Sequence, residues 1–434
     1  MWASPSTEGT TMALQDFMAE AERCSQCSYC KWVPFDRMKS WRFSKGCPSI
    51  GYNNFQSYSA RGRYAVTLGL INGSIGYDER VKDIAFQCEA CGSCDVTCKI
   101  CRYNLEPLEM IRELRAHLVR NGQTLPQHDT LINGLNKSGN MLRRPRSGRG
   151  DWAKDLNIKT IPDQKASVVF HAGCRFSFEG GQQQVARAAI ALLDRAGLDV
   201  GIMGPSESCC GGRAFNLGYR DSFIRCAETN ISAWKKAGIK TIVTPCADCY
   251  HSFKRLYPAL GYQFEVLHTV EILDRLIQEG RLNLTRQVPL KVTYHDPCHL
   301  GRQGEPYIAW SGKEKKVFNQ IIVYDPPKPR FTGARGIYDP PRNILKSIPG
   351  LELVEMERTR EGAWCCGSGA GVREAYPEFA DWTAAERLEE AKATGAEAIV
   401  SACGWCEKSF IDAIGNKGET IKVLDLAELV QQAI

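Results

Sequence analysis

Ser208-Cys209-Cys210-Gly211-Gly212 and its echo, Trp364-Cys365-Cys366-Gly367-Ser368, decide how this chain is read. Two adjacent cysteines share a tetrahedral zinc poorly and cannot bond to each other without strain, so a repeated Cys-Cys-Gly asks for an unusual metal centre.

Working outward, the neighbourhood of each pair recurs. Val168-Val169-Phe170-His171-Ala172-Gly173-Cys174 returns as Val292-Thr293-Tyr294-His295-Asp296-Pro297-Cys298. Thr241-Ile242-Val243-Thr244-Pro245-Cys246-Ala247-Asp248-Cys249 returns as Ala398-Ile399-Val400-Ser401-Ala402-Cys403-Gly404-Trp405-Cys406. The offset is 124 residues between Cys174 and Cys298, and 156 to 157 at the later cysteines. About 32 residues are therefore inserted between Arg302 and Gly336, where the proline-rich Tyr324 to Pro329 predicts an ordered loop rather than a new core. In both copies short β-branched runs alternate with amphipathic stretches such as 184–193 and 382–392, which implies α/β units around a parallel sheet. The cysteines then fall where strands end, at the sheet edge where open α/β folds carry their sites.

Each copy offers five cysteines: Cys174, Cys209, Cys210, Cys246 and Cys249, then Cys298, Cys365, Cys366, Cys403 and Cys406. Five thiolates exceed the needs of one zinc or one cubane, and their regularity points to a larger or more open iron–sulfur centre. The glycine after each pair gives room for inorganic sulfur and can turn through positive φ.

Upstream lie two further runs, Cys24-x2-Cys27-x2-Cys30 with Cys47-Pro48, and Cys88-x2-Cys91-x2-Cys94-x3-Cys98. This is two-cluster ferredoxin spacing, in which three close thiolates hold one cube and the fourth ligand comes from the other run. One [4Fe–4S] cluster is thus expected on Cys24, Cys27, Cys30 and Cys98, the other on Cys88, Cys91, Cys94 and Cys47. A zinc reading leaves the third cysteine of each run without a role. Cys101 is surplus and reads as a small buried side chain. Helical spacing over 61–70 and 108–118 predicts an all-α domain, with His117 and His128 as surface or packing residues. Lys31, Arg37, Lys39, Arg42 and Lys45 form a basic loop, read either as solvated or as a docking face for an acidic electron-transfer partner.

The expected fold class is α + α/β: a polar leader over 1–20, read as disordered, a helical two-cluster domain over 21–133, a Gly/Arg/Pro-rich surface linker over 134–163, and two α/β repeats over 164–285 and 286–434, the second with its insertion near 303–335. Twenty cysteines grouped in C-x-x-C units without a secretory signal favour metal centres in the cytoplasm over disulfides. No apolar run reaches 18 residues, and the basic segment 143–149 has no interleaved aromatics, so neither a membrane span nor nucleic acid is expected.

The pattern C-x34-CCG-x34-C-x-x-C at Cys174 to Cys249, repeated with a longer first gap and one more residue in the second gap at Cys298 to Cys406, resembles the CCG domain of heterodisulfide reductases. With two ferredoxin-type motifs on the same chain, the whole resembles the D-type subunit over roughly residues 20–430. The resemblance implies a noncubane [4Fe–4S] cluster on each five-cysteine set besides the two cubanes, and reductive cleavage of a disulfide between the paired clusters. It also implies a place in a multi-subunit complex, with a flavoprotein or other iron–sulfur subunit as electron donor, since no flavin or nicotinamide motif is present. Relatives of this type also act as modules of sulfate-reducer membrane complexes and of the bifurcating class II benzoyl-CoA reductase complex, so the chain is expected in the cytoplasm or peripheral to a membrane complex. The rival readings are an electron conduit without a substrate of its own and a zinc-rich interaction protein.

Among the remaining residues, His171 and His295 precede the first cysteine of each copy and read either as donors to cluster sulfur or as strand-end packing. His299, beside Cys298, is the candidate proton donor to a leaving thiolate. Cys226 reads as core, Trp364 and Trp405 as packing or cluster shielding, and Gly367 to Gly371 lacks the fingerprint of a nucleotide loop.

Overall fold

Short β-branched runs between long helices build two parallel sheets, and in the computed structural model these are described over residues 13–100, 105–306, 308, 310–318, 321–418 and 420–434. The first sheet contains β1 (Lys159–Thr160), β2 (Val168–Phe170), β3 (Val200–Ile202), β4 (Thr241–Thr244) and β5 (Glu265–His268) in the order β1-β3-β2-β4-β5. Then follow β6 (Leu290–Tyr294), a separate antiparallel hairpin of β7 (Lys313–Val317) and β8 (Ile321–Asp325), and β9 (Leu351–Val354), β10 (Ala398–Ser401) and β11 (Lys422–Asp425). The second sheet runs β11-β10-β6-β9. Without β1 the two orders are the same, β3-β2-β4-β5 and β9-β6-β10-β11.

Register repeats as well. Val168 opposes Thr241, which opposes Glu265; Val292 opposes Ala398, which opposes Lys422. The buried faces of β4 and β10, with helices Gly180–Arg195, Arg220–Lys236, Pro377–Ala393 and Gly404–Lys417 beside them, form one continuous apolar core across both copies.

The N-terminal part is helical, as expected. Ser59 Oγ accepts from Gly62 N at 3.2 Å and Asp78 Oδ1 from Val81 N at 2.7 Å, capping helices Ala60–Ile71 and Glu79–Phe86. Prolines open helices Pro107–Arg120 and Pro126–Ser138. The carboxyl end of Glu79–Phe86 is taken up by two buried guanidiniums. Arg63 donates to Ile84 O and Gln87 O at 2.8 and 2.9 Å, and Arg115 to Ala85 O, Phe86 O and Cys88 O at 2.9, 3.1 and 2.5 Å. Carbonyls that a helix end leaves without partners are thus satisfied just where the second cysteine run begins.

Four stretches differ from the expectation. Within the leader, Leu14–Phe17 and Met18–Glu22 are helical and Leu14 and Phe17 are buried, because their apolar side chains find a pocket on helix Pro107–Arg120; residues 1–12 lie outside the described residues. The segment 134–163 is no surface linker: Pro126–Ser138 extends into it, Trp152 and Ala153 enter the core, and β1 adds an edge strand to the first sheet. In the basic loop, Arg37 pairs with Glu361 and Arg42 with Glu386 at 2.6 Å, so two of its five cations hold the helical domain on the second repeat. The insertion carries the β7-β8 hairpin instead of a loop, and the β7 side chains are exposed.

His128 links the helical domain to the second repeat. It is fully buried, its ring edge lies on Phe86, and its Nε2 is 3.0 Å from Gly371 O. Burial, partly offset by that carbonyl and reinforced by Arg115, lowers its pKa to about 4. A folded-state pKa below the unfolded value makes the neutral ring stabilising above the unfolded value of about 6.5, and that stabilisation is lost as pH falls. Lowering the pH from 7.5 to 5 is expected to remove about 2 kcal/mol through this residue alone. His128→Gln should lack that share of the pH dependence in urea unfolding, and an unchanged slope in the variant would assign it to other groups.

Candidate metal centres

Each strand that carries a cysteine run delivers it at the carboxyl end of its sheet. Cys174 follows β2, Cys246 follows β4, Cys298 follows β6 and Cys403 follows β10. The Cys-Cys pairs sit on turns that only glycine completes. Gly211 has φ +76°, and a Cβ there would stand 3.0 Å from Phe223 and 3.1 Å from Cys226; Gly367 has φ +86°, and a Cβ would run into the Ala380 carbonyl.

The ten repeat cysteines make one unbroken run of side-chain contacts: Cys174 to Cys209, Cys209 to Cys210, Cys210 to Cys249, and Cys249 to Cys246. Cys246 meets Cys403, and the run continues through Cys406, Cys366 and Cys365 to Cys298. The order is the same read from either end, with each cysteine replaced by its counterpart. The two repeats therefore meet about a pseudo-two-fold axis that passes between Cys246 and Cys403.

Cations and protons stand at both outer ends. Arg149 Nη2 is 3.8 Å from Cys174 Sγ and pairs with Glu207 at 2.8 Å, while the Glu207 carboxylate accepts from Ala172 N and Gly173 N. Cys209 draws the Cys174 thiol down against the effect of burial, Arg149 adds to this, and it settles at about 7. At the other end Cys365 draws Cys298 down to about 6, again against burial, with help from His299 and Arg302.

The helical domain brings its cysteines around two hollows. Cys24, Cys27, Cys30 and Cys98 line one small hollow, and Cys47, Cys88, Cys91 and Cys94 line a second. Each set joins three cysteines of one run to one of the other. Cys27 is exposed at the surface, whereas Cys91 is buried and lies against Cys365 of the second repeat. Four-thiol hollows and glycine-cradled five-thiol sets are sulfur-rich donor environments of the kind iron–sulfur clusters take.

The CCG cysteine-rich domain model matches residues 168–254 and 331–411. Over 99% of this chain and 98% of the relative, the sequence is 27% identical to the D-type subunit of the dihydromethanophenazine:CoB–CoM heterodisulfide reductase of Methanosarcina mazei. It is 28% identical over 98% of its length to a probable iron-sulfur-binding oxidoreductase of Bacillus subtilis, of which it spans 56%. It is 27% identical over 83% of its length to the EtfAB:quinone oxidoreductase of Syntrophomonas wolfei, of which it spans 48%. The chain carries two copies of the CCG cysteine-rich domain and is similar over nearly its whole length to D-type subunits of heterodisulfide reductase. Among the described residues, no helix is long and apolar enough to cross a membrane.

In this chain the histidines take different places. Arg387 Nε donates to His295 Nδ1 at 3.1 Å, which leaves the hydrogen on Nε2; a ligand atom of His295 lies within 4.8 Å of Cys366 and Cys406 Sγ. His171, its counterpart, is wedged edge-on against Trp234 and Phe253, with Nε2 3.7 Å from Glu207. His299 Nδ1 lies 2.5 Å from Asp248 Oδ1 and 4.0 Å from Cys298 Sγ. Burial opposes its charge, but Asp248 and Cys298 outweigh burial and hold its pKa well above the usual histidine value. Cys226 packs in the core beside Gly211, and Trp364 donates from Nε1 to Thr383 O at 2.9 Å as an ordinary packing residue. Cys101 lies outside the described residues.

Sequence reasoning missed Arg149, hidden in the supposed linker, and Arg302 at the insertion boundary. Arg302 is buried; its Nε donates to Cys91 O at 2.7 Å, and its Nη1 to Glu361 O and Ala363 O at 2.7 and 2.6 Å. Beside it Gln303 Nε2 donates to Ala90 O at 3.0 Å, and Gly369 N donates to the buried Glu89 carboxylate at 3.0 Å. A basic residue just after Cys298 was the available signal. Arg302→Met would leave three buried carbonyls without a donor, at a cost of roughly 1–3 kcal/mol each. The expected result is a lower unfolding midpoint and faster proteolysis within residues 13–138, read by mass spectrometry of the fragments.

Proposed function

We propose that this chain relays electrons, entering at the exposed Cys27 edge, through two cubane sites to a pair of noncubane sites where a disulfide-like substrate is reduced. Cys24, Cys27, Cys30 and Cys98 would hold the first cubane, and Cys47, Cys88, Cys91 and Cys94 the second. The two five-cysteine sets, Cys174, Cys209, Cys210, Cys246 and Cys249 with Cys298, Cys365, Cys366, Cys403 and Cys406, would hold the noncubane clusters. Bound there, iron–sulfur clusters accept and pass single electrons, which a flavoprotein or iron–sulfur partner supplies. The observation that carries the proposal is the unbroken run of ten cysteines through Cys246 and Cys403, with Cys91 joined to it at Cys365.

The balance is R–S–S–R′ with two electrons and two protons giving RSH and R′SH. His299 suits the delivery of a proton: Asp248 fixes Nδ1, and the ring stands beside Cys298. His251 lies tilted against it, 4.9 Å between centroids and 34° between ring planes, and its own ring is anchored by the Gln303 carbonyl at 2.7 Å. Arg112 reaches the far side of His251 at 3.4 Å, so burial, His299 and Arg112 together keep His251 neutral.

Likeness to the EtfAB:quinone oxidoreductase supports a second reading, in which the chain only conducts electrons between an electron-transfer flavoprotein and another acceptor. Anaerobically purified protein is expected to be brown, with about sixteen irons per chain. Cys98→Ala should lose about four of them, together with the signals of the Cys24 to Cys30 cluster. Dithionite-reduced protein should release thiol from hydroxyethyl disulfide, and His299→Gln should slow this roughly 100-fold at unchanged iron content. Sixteen irons without thiol release from any disulfide would favour the conduit; colourless protein would overturn both readings.

A further inference from the structure

The pseudo-two-fold brings the residue after the first cysteine of each repeat onto the residue just before the last cysteine of the other. On one flank these are His299 and Asp248, an ion pair. On the other they are Arg175 and Trp405, and there the guanidinium stacks on the indole, 3.9 Å from its centroid. A second guanidinium, Arg213, stacks on the same indole at 4.0 Å. The counterpart of Arg213 in the second repeat is Gly369, whose place is taken by Glu89 of the helical domain. The Arg–Trp–Arg stack therefore belongs to one flank of the junction.

All three side chains are buried, with Arg175 6%, Arg213 4% and Trp405 7% exposed. Each arginine has one carboxylate partner at the rim, Glu179 for Arg175 and Glu374 for Arg213, and these are 27% and 28% exposed. Arg213 Nη2 also donates to Ser368 O at 2.9 Å. Even so, Arg175 Nε, Arg213 Nε and Nη1, and Ser368 Oγ have no hydrogen-bond partner among the described residues. Buried donors of this kind are costly without an acceptor, and a planar fork stacked on an aromatic ring presents its N–H edge beyond the ring. A carboxylate is the acceptor whose charge and planar geometry match that edge.

We propose that the Arg175–Trp405–Arg213 stack is a binding site for a carboxylate carried by the substrate of the paired centre, on the flank opposite His299. The substrate class is then a disulfide of small carboxylate-bearing thiols, bound with its acidic end toward Trp405. The inference rests on the reading of the paired centre as a disulfide-cleaving site, but its test does not require cleavage.

Thiodiglycolate, a thioether dicarboxylate with no S–S bond, and its neutral analogue thiodiglycol are titrated into the anaerobic holoprotein by calorimetry. The wild-type protein should bind thiodiglycolate at least about tenfold more tightly than thiodiglycol. Arg213→Gln and Arg175→Gln should each weaken thiodiglycolate roughly 10- to 100-fold and leave thiodiglycol unchanged, while Arg213→Lys should retain part of the preference. Equal binding of the two ligands by wild-type protein, a comparison that needs no variant, overturns the inference, as does full affinity in an Arg213→Gln protein of normal iron content. Thiodiglycolate binding without thiol release from any disulfide leaves the site standing and removes the proposed reaction. Thiol release without thiodiglycolate binding does the reverse.

Discussion

Thiolates brought together out of water are disfavoured twice, because each loses hydration and each repels its neighbours. The described chain gathers ten of them in one run with an eleventh, Cys91, at its side, and much of the surrounding structure answers that problem. Hydrogen bonds to neighbouring thiols, and then burial, raise Cys209 and Cys365 far above the ordinary value, and burial raises Cys406, while their immediate neighbours Cys210, Cys366 and Cys403 are drawn far below it. Alternation along the run is what shared hydrogens impose when no cation intervenes: each thiolate is stabilised by a neighbouring S–H. Iron would replace those shared hydrogens with positive charge, which is why a sulfur-only pocket of this size reads as a metal site and not as an apolar core.

The same problem explains the arginines. Arg149 and Arg302 stand at the two outer ends of the run, each buried and each fixed by acceptors that are not cysteine thiols: Glu207 and Gly139 O for the first, three carbonyls for the second. A guanidinium held in this way supplies charge without donating its hydrogens wholly to sulfur, and its position does not depend on the state of the thiols. Arg302 has a second consequence. Because its acceptors are Cys91 O on one side and Glu361 O and Ala363 O on the other, it ties the second cysteine run to the second repeat, beside the Gln303–Ala90 and Glu89–Gly369 hydrogen bonds.

Much of this was legible in the sequence, and what was not has a definite reason. The cysteine spacings and the duplicated strands are local patterns, so the two sheets with equal strand order and the two four-cysteine hollows could be read directly from them. The segment 134–163 could not, because its Gly, Pro and Arg composition is that of a surface linker, while Trp152 gains its burial, and β1 its pairing partner, only from a sheet assembled later in the chain. Arg37 and Arg42, read either as part of a solvated loop or as a docking face, pair instead with Glu361 and Glu386 of the same chain. Composition reports the charge of a loop; it does not report what the fold sets opposite it.

The junction of the repeats shows the same limit in its sharpest form. Read along the chain, Trp405 is an aromatic residue beside a ligand and Arg175 a cation after one, and neither suggests the other. Only the two-fold relation, fixed by the meeting of Cys246 with Cys403, sets them face to face and sets His299 against Asp248 in the equivalent place. A duplicated domain that closes on itself starts with two identical flanks. One flank here has become a charge-paired histidine next to Cys298, and the other a stacked pair of arginines whose free N–H groups face no acceptor among the described residues. A symmetric thiol framework with unlike flanks distinguishes the two ends of whatever lies between them, and that is the physical requirement for cleaving an unsymmetrical disulfide in one orientation.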